Sequence, residues 1–268
     1  MNNNIFDLEG RVAVVTGACG QLGGEFVKTL ISFGASVAAF DVDLGNPKSQ
    51  LVGLNPDKLI KVEVDVTDRN SIKKGLEMVL DKLGEPRILV NNAGVDSPPG
   101  LVKEDTGVFE QYTESNWDKV MDVNIKGAFL CCQVIGGRMV KTGGGSIINI
   151  SSIYGMLSPD QRLYEINSAE KRFYKPVAYS VSKSGLVNLT RYLATYWADK
   201  KVRVNTLTLG GVFNNQDKQF IEKYSSRVPL GRMACQEECG GIIVFLASDA
   251  SSYMTGSNLV LDGGYSCW

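Results

Sequence analysis

The chain has 268 residues, 44% of them apolar and 21% charged, with 28 basic and 29 acidic side chains and no histidine. That composition is globular, and the length suits one large α/β domain, or two small ones, able to bury a core unaided. A net charge of −1 leaves no basic footprint for nucleic acid or an anionic membrane, and the missing histidine excludes Ser-His-Asp and Cys-His catalysis.

The opening "MNNNIFDLEGR" has neither the basic start nor the apolar run of a secretory signal. No apolar stretch approaches the ~18–20 residues that span a bilayer, so a cytoplasmic location is expected. The six cysteines form no CxxC. They read as reduced, small apolar residues, and no metal site is expected.

Short β-branched runs alternate with helical patterns along the chain. The first strand, "RVAVVTG" (11–17), runs into "TGACGQLGG", a glycine turn opening a helix over 23–34. Gly17 permits the tight turn, while Gly20 and Gly23 allow close approach of a pyrophosphate to the helix N-terminus. The second strand, "ASVAAFD" (35–41), ends in Asp41. A carboxylate there suits the adenosine ribose hydroxyls and repels a 2′-phosphate, favouring NAD over NADP.

A third strand is predicted over 58–68, a helix over 69–84, and a fourth strand over "RILVNNAG" (87–94). A long helix follows over about 115–139, then a fifth strand, "GSIINISS" (145–152). The next helix carries Tyr179 and Lys183 near its start. A sixth strand over 201–210, a helix over 235–248 and a last strand over 257–264 complete the pattern. Such alternation predicts an α/β fold: a Rossmann-like, doubly wound parallel sheet of about seven strands with helices on both faces. No composition break or repeat divides the chain, so residues 1–268 are expected to form a single domain.

Tyr179 and Lys183 are one helical turn apart and share a face. A phenol near its ordinary value is a poor acid–base group at neutral pH. A nearby ammonium favours the phenolate, so Lys183 is expected to bring Tyr179 toward the working range.

With these residues in place, the chain resembles the short-chain dehydrogenases/reductases, specifically the compact single-domain branch of about 250 residues. The resemblance rests on "TGACGQLG", Asp41, "DVTD", "NNAG", "NIKGAF", "INISSIYG", "YSVSK", "RVNTL" and "TGSNLVLDGG", in that order. It implies a catalytic set of Asn124, Ser152, Tyr179 and Lys183. Tyr179 would be the general acid/base, Lys183 would also meet the nicotinamide ribose, and Ser152 would hydrogen-bond the reacting oxygen. Asn124 would hold a water linking Lys183 to solvent. For the cofactor it implies Gly17, Gly20, Gln21, Leu22 and Gly23 at the pyrophosphate and Asp41 at the adenosine ribose. Asp65 and Val66 would flank the adenine, Asn92, Ala93 and Gly94 would line the ribose, and Val212 would approach the carboxamide. The implied reaction is hydride transfer between NAD(H) and a secondary alcohol or ketone, by a homodimer or homotetramer without nucleic-acid or membrane partners.

Three features depart from that branch. Gln21 takes the place of its middle glycine, and Leu209 replaces the proline of a Pro-Gly pair. Ser152 and Tyr179 are also 27 residues apart, about twice the usual spacing. The extra segment, 156–178, should sit at the rim of the active site, either as a polar lid with Arg162 or Arg172 as an anion clamp or as a solvated loop. Residues 211–230 resemble the segment that closes over substrate. The stretches around 153–197 and 210–233 further resemble a subgroup associated with bacterial surface-sugar and flagellin-glycan synthesis, implying a sugar or sugar-phosphate substrate. The alternatives are a 3-oxoacyl-thioester reductase, against which Asp41 counts, and a non-catalytic NAD-binding sensor, against which the intact catalytic set counts.

Overall fold

The computed structural model of the chain describes residues 4–46, 49–96, 108–165 and 174–268. Seven strands form one parallel sheet: β1 (Val12–Thr16), β2 (Ser36–Asp41), β3 (Leu59–Glu63), β4 (Pro86–Asn91), β5 (Gly145–Ser152), β6 (Val202–Leu209) and β7 (Asn258–Leu261). Their order is β3-β2-β1-β4-β5-β6-β7. Val14 of β1 stands opposite Ala38 of β2 on one side and Leu89 of β4 on the other. The winding therefore reverses between β1 and β4, and a crevice opens at their carboxyl ends. Every residue of β1 is buried, as expected for a strand covered on both faces.

One face is covered by helices α1 (Gln21–Ser32) and α6 (Gly240–Ala247), whose apolar side chains join Val15, Val37 and Ile148 in one core. The other carries α2 (Arg69–Lys82), a composite helix α3 over 114–142, and α4 (Val177–Tyr196), packed on Val14, Leu89 and Ile147. Short polar side chains start two of these helices. Asp68 accepts from the Asn70 N–H ahead of α2, and Thr113 accepts from the Asn116 N–H ahead of α3.

Helix α3 is longer than expected and irregular. Two π-helical stretches, Asp122–Gly127 and Cys132–Gly136, interrupt its α-helical turns. Such insertions often mark functional positions, and the first contains Asn124. The third strand ends at Glu63, earlier than predicted, because Asp65 Oδ1 accepts from both the N–H and the hydroxyl of Thr67 and bends the chain. The predicted helix over 235–248 begins as a 3-10 turn, Gln236–Cys239, before α6.

A buried polar chain links the sheet to α4. Asn91 Nδ2 donates to Asn149 Oδ1 at 2.8 Å, Asn149 Nδ2 to Thr190 Oγ1 at 2.8 Å, and Thr206 Oγ1 to Thr190 Oγ1 at 2.7 Å. Buried amides without partners are costly, so this chain pins α4 against β4, β5 and β6.

Candidate active site

The carboxyl ends of β1, β4, β5 and β6 open onto a cavity of about 940 Å³. The glycine turn forms its floor, and the three glycines serve different needs. Gly17 has φ +63, and a Cβ there would lie 2.8 Å from Ala93 Cα. A Cβ on Gly23 would lie 2.0 Å from the Gly17 carbonyl oxygen, so the helix could not close on its own turn. At Gly20 the nearest atom would be the same oxygen at 3.4 Å, an ordinary contact. The chain's own packing therefore does not require glycine at 20. Its missing side chain leaves a cradle at the N-terminus of α1, where free N–H groups suit a pyrophosphate.

Gln21 and Leu22 also line the cavity. Gln21 Nε2 donates to the Phe213 carbonyl at 2.7 Å, tying the glycine turn to the segment after β6. Val212 lines the cavity on that side and pairs with Ala234.

Asp41 stands at the rim with its carboxylate fixed. Oδ2 accepts from the Cys19 N–H at 2.8 Å and Oδ1 from the Asp43 N–H at 3.1 Å. Asp65 and Val66 line the same end. Asn92 also borders the cavity, but its amide is turned to the glycine loop, where Nδ2 donates to the Thr16 and Gly17 carbonyls, both at 3.0 Å. It braces β1 against β4, so a ribose could meet only what that bracing leaves free. Ala93 and Gly94 complete this wall, and a Cβ on Gly94 would lie 3.3 Å from Lys183 Nζ.

The four residues expected to carry the chemistry meet at the far side. Ser152 ends β5, while Tyr179 and Lys183 enter from the first turns of α4. The adjacent serine is structural: Ser151 Oγ donates to the Lys183 carbonyl at 2.8 Å, holding α4 on β5. Ser152 Oγ instead accepts from the Tyr154 N–H at 3.2 Å and borders the cavity beside Tyr179.

Asn124 Nδ2 donates to the Val95 carbonyl at 2.9 Å and to Ser182 Oγ at 3.0 Å, while Oδ1 accepts from the Val95 N–H at 2.7 Å. Both amide protons are committed, so its side chain braces the loop after β4 to α4. The expected water-holding role has, on this side chain, only a remaining lone pair of Oδ1.

The surroundings act on both groups of the expected Tyr179–Lys183 pair. Burial, with Asp96 adding to it, pushes the Tyr179 phenol up to about 12, and Ser152 opposes the shift. Burial also pulls Lys183 down to about 8. Lys183 Nζ donates to the Ile150 carbonyl at 2.8 Å and stands 5.8 Å from the centre of the Tyr179 ring. Desolvation disfavours the charged form of each group, and it is the largest influence on both.

The cavity is roofed by a small apolar cluster. Ile153, Leu163, Tyr164, Tyr224, Val228 and Met233 pack together over Tyr179. Helix α5 (Lys218–Ser225) lies in the segment expected to cover substrate, and its Phe220 ring lies 5.4 Å from that of Tyr164. Within the described part of 156–178, Leu163 and Tyr164 are buried in this cluster, whereas Met156, Leu157, Ser158, Arg162 and Glu165 are exposed. Arg162 does not act as the expected clamp. Its guanidinium is bound to Asp160 at 2.7–3.2 Å, Arg227 pairs with the same carboxylate, and Arg162 does not line the cavity. Arg172 lies outside the described residues, as do Glu170, Lys171 and Phe173.

Two further charged groups face Tyr179. Lys175 Nζ lies 4.7 Å from its ring centre and pairs with Asp96 Oδ2 at 2.6 Å. The only sequence signal for Lys175 is its place one turn before Tyr179, with Pro176 between them at the N-cap of α4. Asp96 carries no such signal. Among the described residues, no group of metal-binding side chains occurs and no helix is long and apolar enough to cross a membrane.

Residues 17–266 match the family model described as Enoyl-(Acyl carrier protein) reductase. The chain is 33% identical to an NAD-dependent glycerol dehydrogenase of Listeria innocua, over 97% of this chain and 95% of that protein. It is 35% identical to a 3-oxoacyl-(acyl-carrier-protein) reductase of Thermotoga maritima, over 96% and 98%. Its backbone matches the crystal structure of a short chain dehydrogenase from Leptospira borgpetersenii with bound NAD+, with a TM-score of 0.85 and 32% identity, covering 99% of this chain and 96% of that one.

Proposed function

This chain belongs to the short-chain dehydrogenase/reductase family, and on that premise we propose that it is an NAD-dependent dehydrogenase of a secondary alcohol on a small polyhydroxylated molecule. The observation that carries this reading is the meeting of Ser152, Tyr179 and Lys183 in the cavity whose other end holds the Gly20 cradle and Asp41. The cradle and the carboxylate fit a dinucleotide without a 2′-phosphate. When bound, that cofactor supplies or accepts the hydride.

The chain's own residues manage the proton. Tyr179 Oη takes the hydroxyl proton in oxidation and returns it in reduction. Ser152 Oγ holds the reacting oxygen beside that phenol, and Lys183 keeps a positive charge close to the developing phenolate. The tyrosine-rich roof excludes water from the transfer.

The likeness to a glycerol dehydrogenase supports a polyol or sugar substrate. The Thermotoga likeness keeps a thioester reductase as the second reading. Asp41 weighs against it, since a carboxylate at that position disfavours NADP. A place in surface-sugar synthesis and a cytoplasmic location belong to the same proposal. Half-exposed Phe129 and Val181, with exposed Tyr192 and Tyr196, support a homodimer or homotetramer through α3 and α4, which light scattering would test. The activity is tested by NADH formation with a panel of polyols and sugar phosphates, with Tyr179→Phe as control. Turnover unaffected by that substitution would end this mechanism.

A further inference from the structure

The substrate end of the cavity has an unusual charge arrangement. Lys175 is only 12% exposed at its side chain, and its ammonium pairs with Asp96 and lies within 5.8 Å of the ring centres of Tyr154, Tyr164 and Tyr179. Its backbone is held as well. The Lys175 N–H donates to Gln161 Oε1 at 2.8 Å, and Gln161 Nε2 donates to the Lys175 carbonyl at 3.4 Å. A long cationic side chain loses much rotamer freedom in such a position, so this is a built position and not a surface lysine. Asp96, 49% exposed, faces the cavity mouth.

The pair sits beside the reacting group and is neutral as a whole. An ammonium has three donors and a carboxylate about four acceptor sites, so each keeps capacity after bonding to the other. Hydroxyl groups can use both, accepting from Lys175 and donating to Asp96. A phosphate or carboxylate could use only Lys175, and would lie against the Asp96 carboxylate. Nor is a guanidinium at hand to offset that repulsion among the described residues of the cavity wall, since Arg162 and Arg227 are both bound to Asp160.

We propose that Asp96 and Lys175 are specificity-determining residues that together read the hydroxyls of a neutral polyol, selecting it over phosphorylated or carboxylated analogues. This rests on the dehydrogenase reading above and narrows its substrate class. The tyrosine and phenylalanine rings of Tyr154, Tyr164 and Phe220 supply apolar faces for the carbon chain of such a substrate.

The test compares initial rates with NAD for short linear polyols, their terminal phosphates and the matching aldonates, in the unmodified protein, Lys175→Met and Asp96→Asn. NADH binding is followed in parallel by fluorescence. The unmodified protein should prefer the neutral polyol by about tenfold or more in kcat/KM, the equivalent of one close charge repulsion. Lys175→Met should raise KM for the polyol about tenfold with a smaller change in kcat, as expected when substrate binding is lost more than chemistry. Asp96→Asn, which keeps the shape, should narrow the discrimination against the anionic analogues. Both variants should bind NADH as the parent does. A parent that prefers phosphates or aldonates overturns the proposal, as does a Lys175→Met variant with unchanged KM or an Asp96→Asn variant with unchanged discrimination. If NADH binds but no polyol turns over, the substrate reading above falls and takes this one with it. Polyol turnover indifferent to both substitutions removes only the role of the pair.

Discussion

The Lys183 ammonium donates to the Ile150 carbonyl at 2.8 Å, and its nitrogen stands 5.8 Å from the centre of the Tyr179 ring. No hydrogen bond between the two groups accompanies that distance. Burial pulls Lys183 down to about 8 and pushes the phenol up to about 12.

That order sets the pH dependence. Oxidation needs the phenol free of its proton, so its kcat/KM should keep rising with pH above 8, toward the raised value of the phenol. Reduction needs the proton in place and the Lys183 charge beside the phenolate it leaves, so it should fall as that charge is lost near 8. Lys183→Met should remove the fall near 8 in reduction and lower the rate in both directions. Initial rates across a pH series, taken each way, check this. The same shift affects folding. The folded chain releases the Lys183 proton earlier than the unfolded one, so this group's contribution to stability rises with pH between about 8 and the ordinary lysine value of 10.5.

Tyr179→Phe removes the proton carrier and leaves the ring in its packing. Turnover should fall by about 10²–10⁴-fold, the usual worth of a positioned acid–base group. NADH binding, read by fluorescence titration, should change little. Ser152→Ala should lower kcat more than it raises KM, because its hydroxyl acts on the reacting oxygen.

Gly20 and Gly23 should separate binding from folding. Gly20→Ala meets no protein atom closer than 3.4 Å, so the melting temperature should hold while NADH affinity drops by about tenfold or more. Gly23→Ala places a methyl 2.0 Å from the Gly17 oxygen and should destabilise the fold by about 1–3 kcal/mol. Thermal melts with and without NADH distinguish the two outcomes.

Asp41→Ala should relax the cofactor preference by removing the charge that repels a 2′-phosphate. The ratio of kcat/KM for NAD over NADP should fall, chiefly through a lower KM for NADP. A parent protein preferring NADP would contradict this assignment.

Asn149→Ala would leave the Asn91 amide and the Thr190 hydroxyl without their present partner in the core. A buried group left unpaired costs about 1–3 kcal/mol. Urea unfolding should show the midpoint fall with little change in slope.

Much of this architecture was legible in the chain because its signals are local. Periodicity of two or of 3.6 residues marks strands and helices, and seven strands, the glycine turn and the carboxylate ending the second strand followed from neighbours along the chain. So did the pairing of Tyr179 and Lys183 on one helix face. The tertiary structure alone decided what surrounds each group. It gave Ser151 to the Lys183 carbonyl and left Ser152 at the cavity wall beside the phenol. It bound Arg162 to Asp160, and it brought Asp96 to Lys175 across 79 positions. Burial and the nearest charges govern acidity, and both depend on residues far apart in sequence. A spacing of four residues could therefore place the ammonium near the phenol, but only the folded chain could show that desolvation is the stronger influence on both.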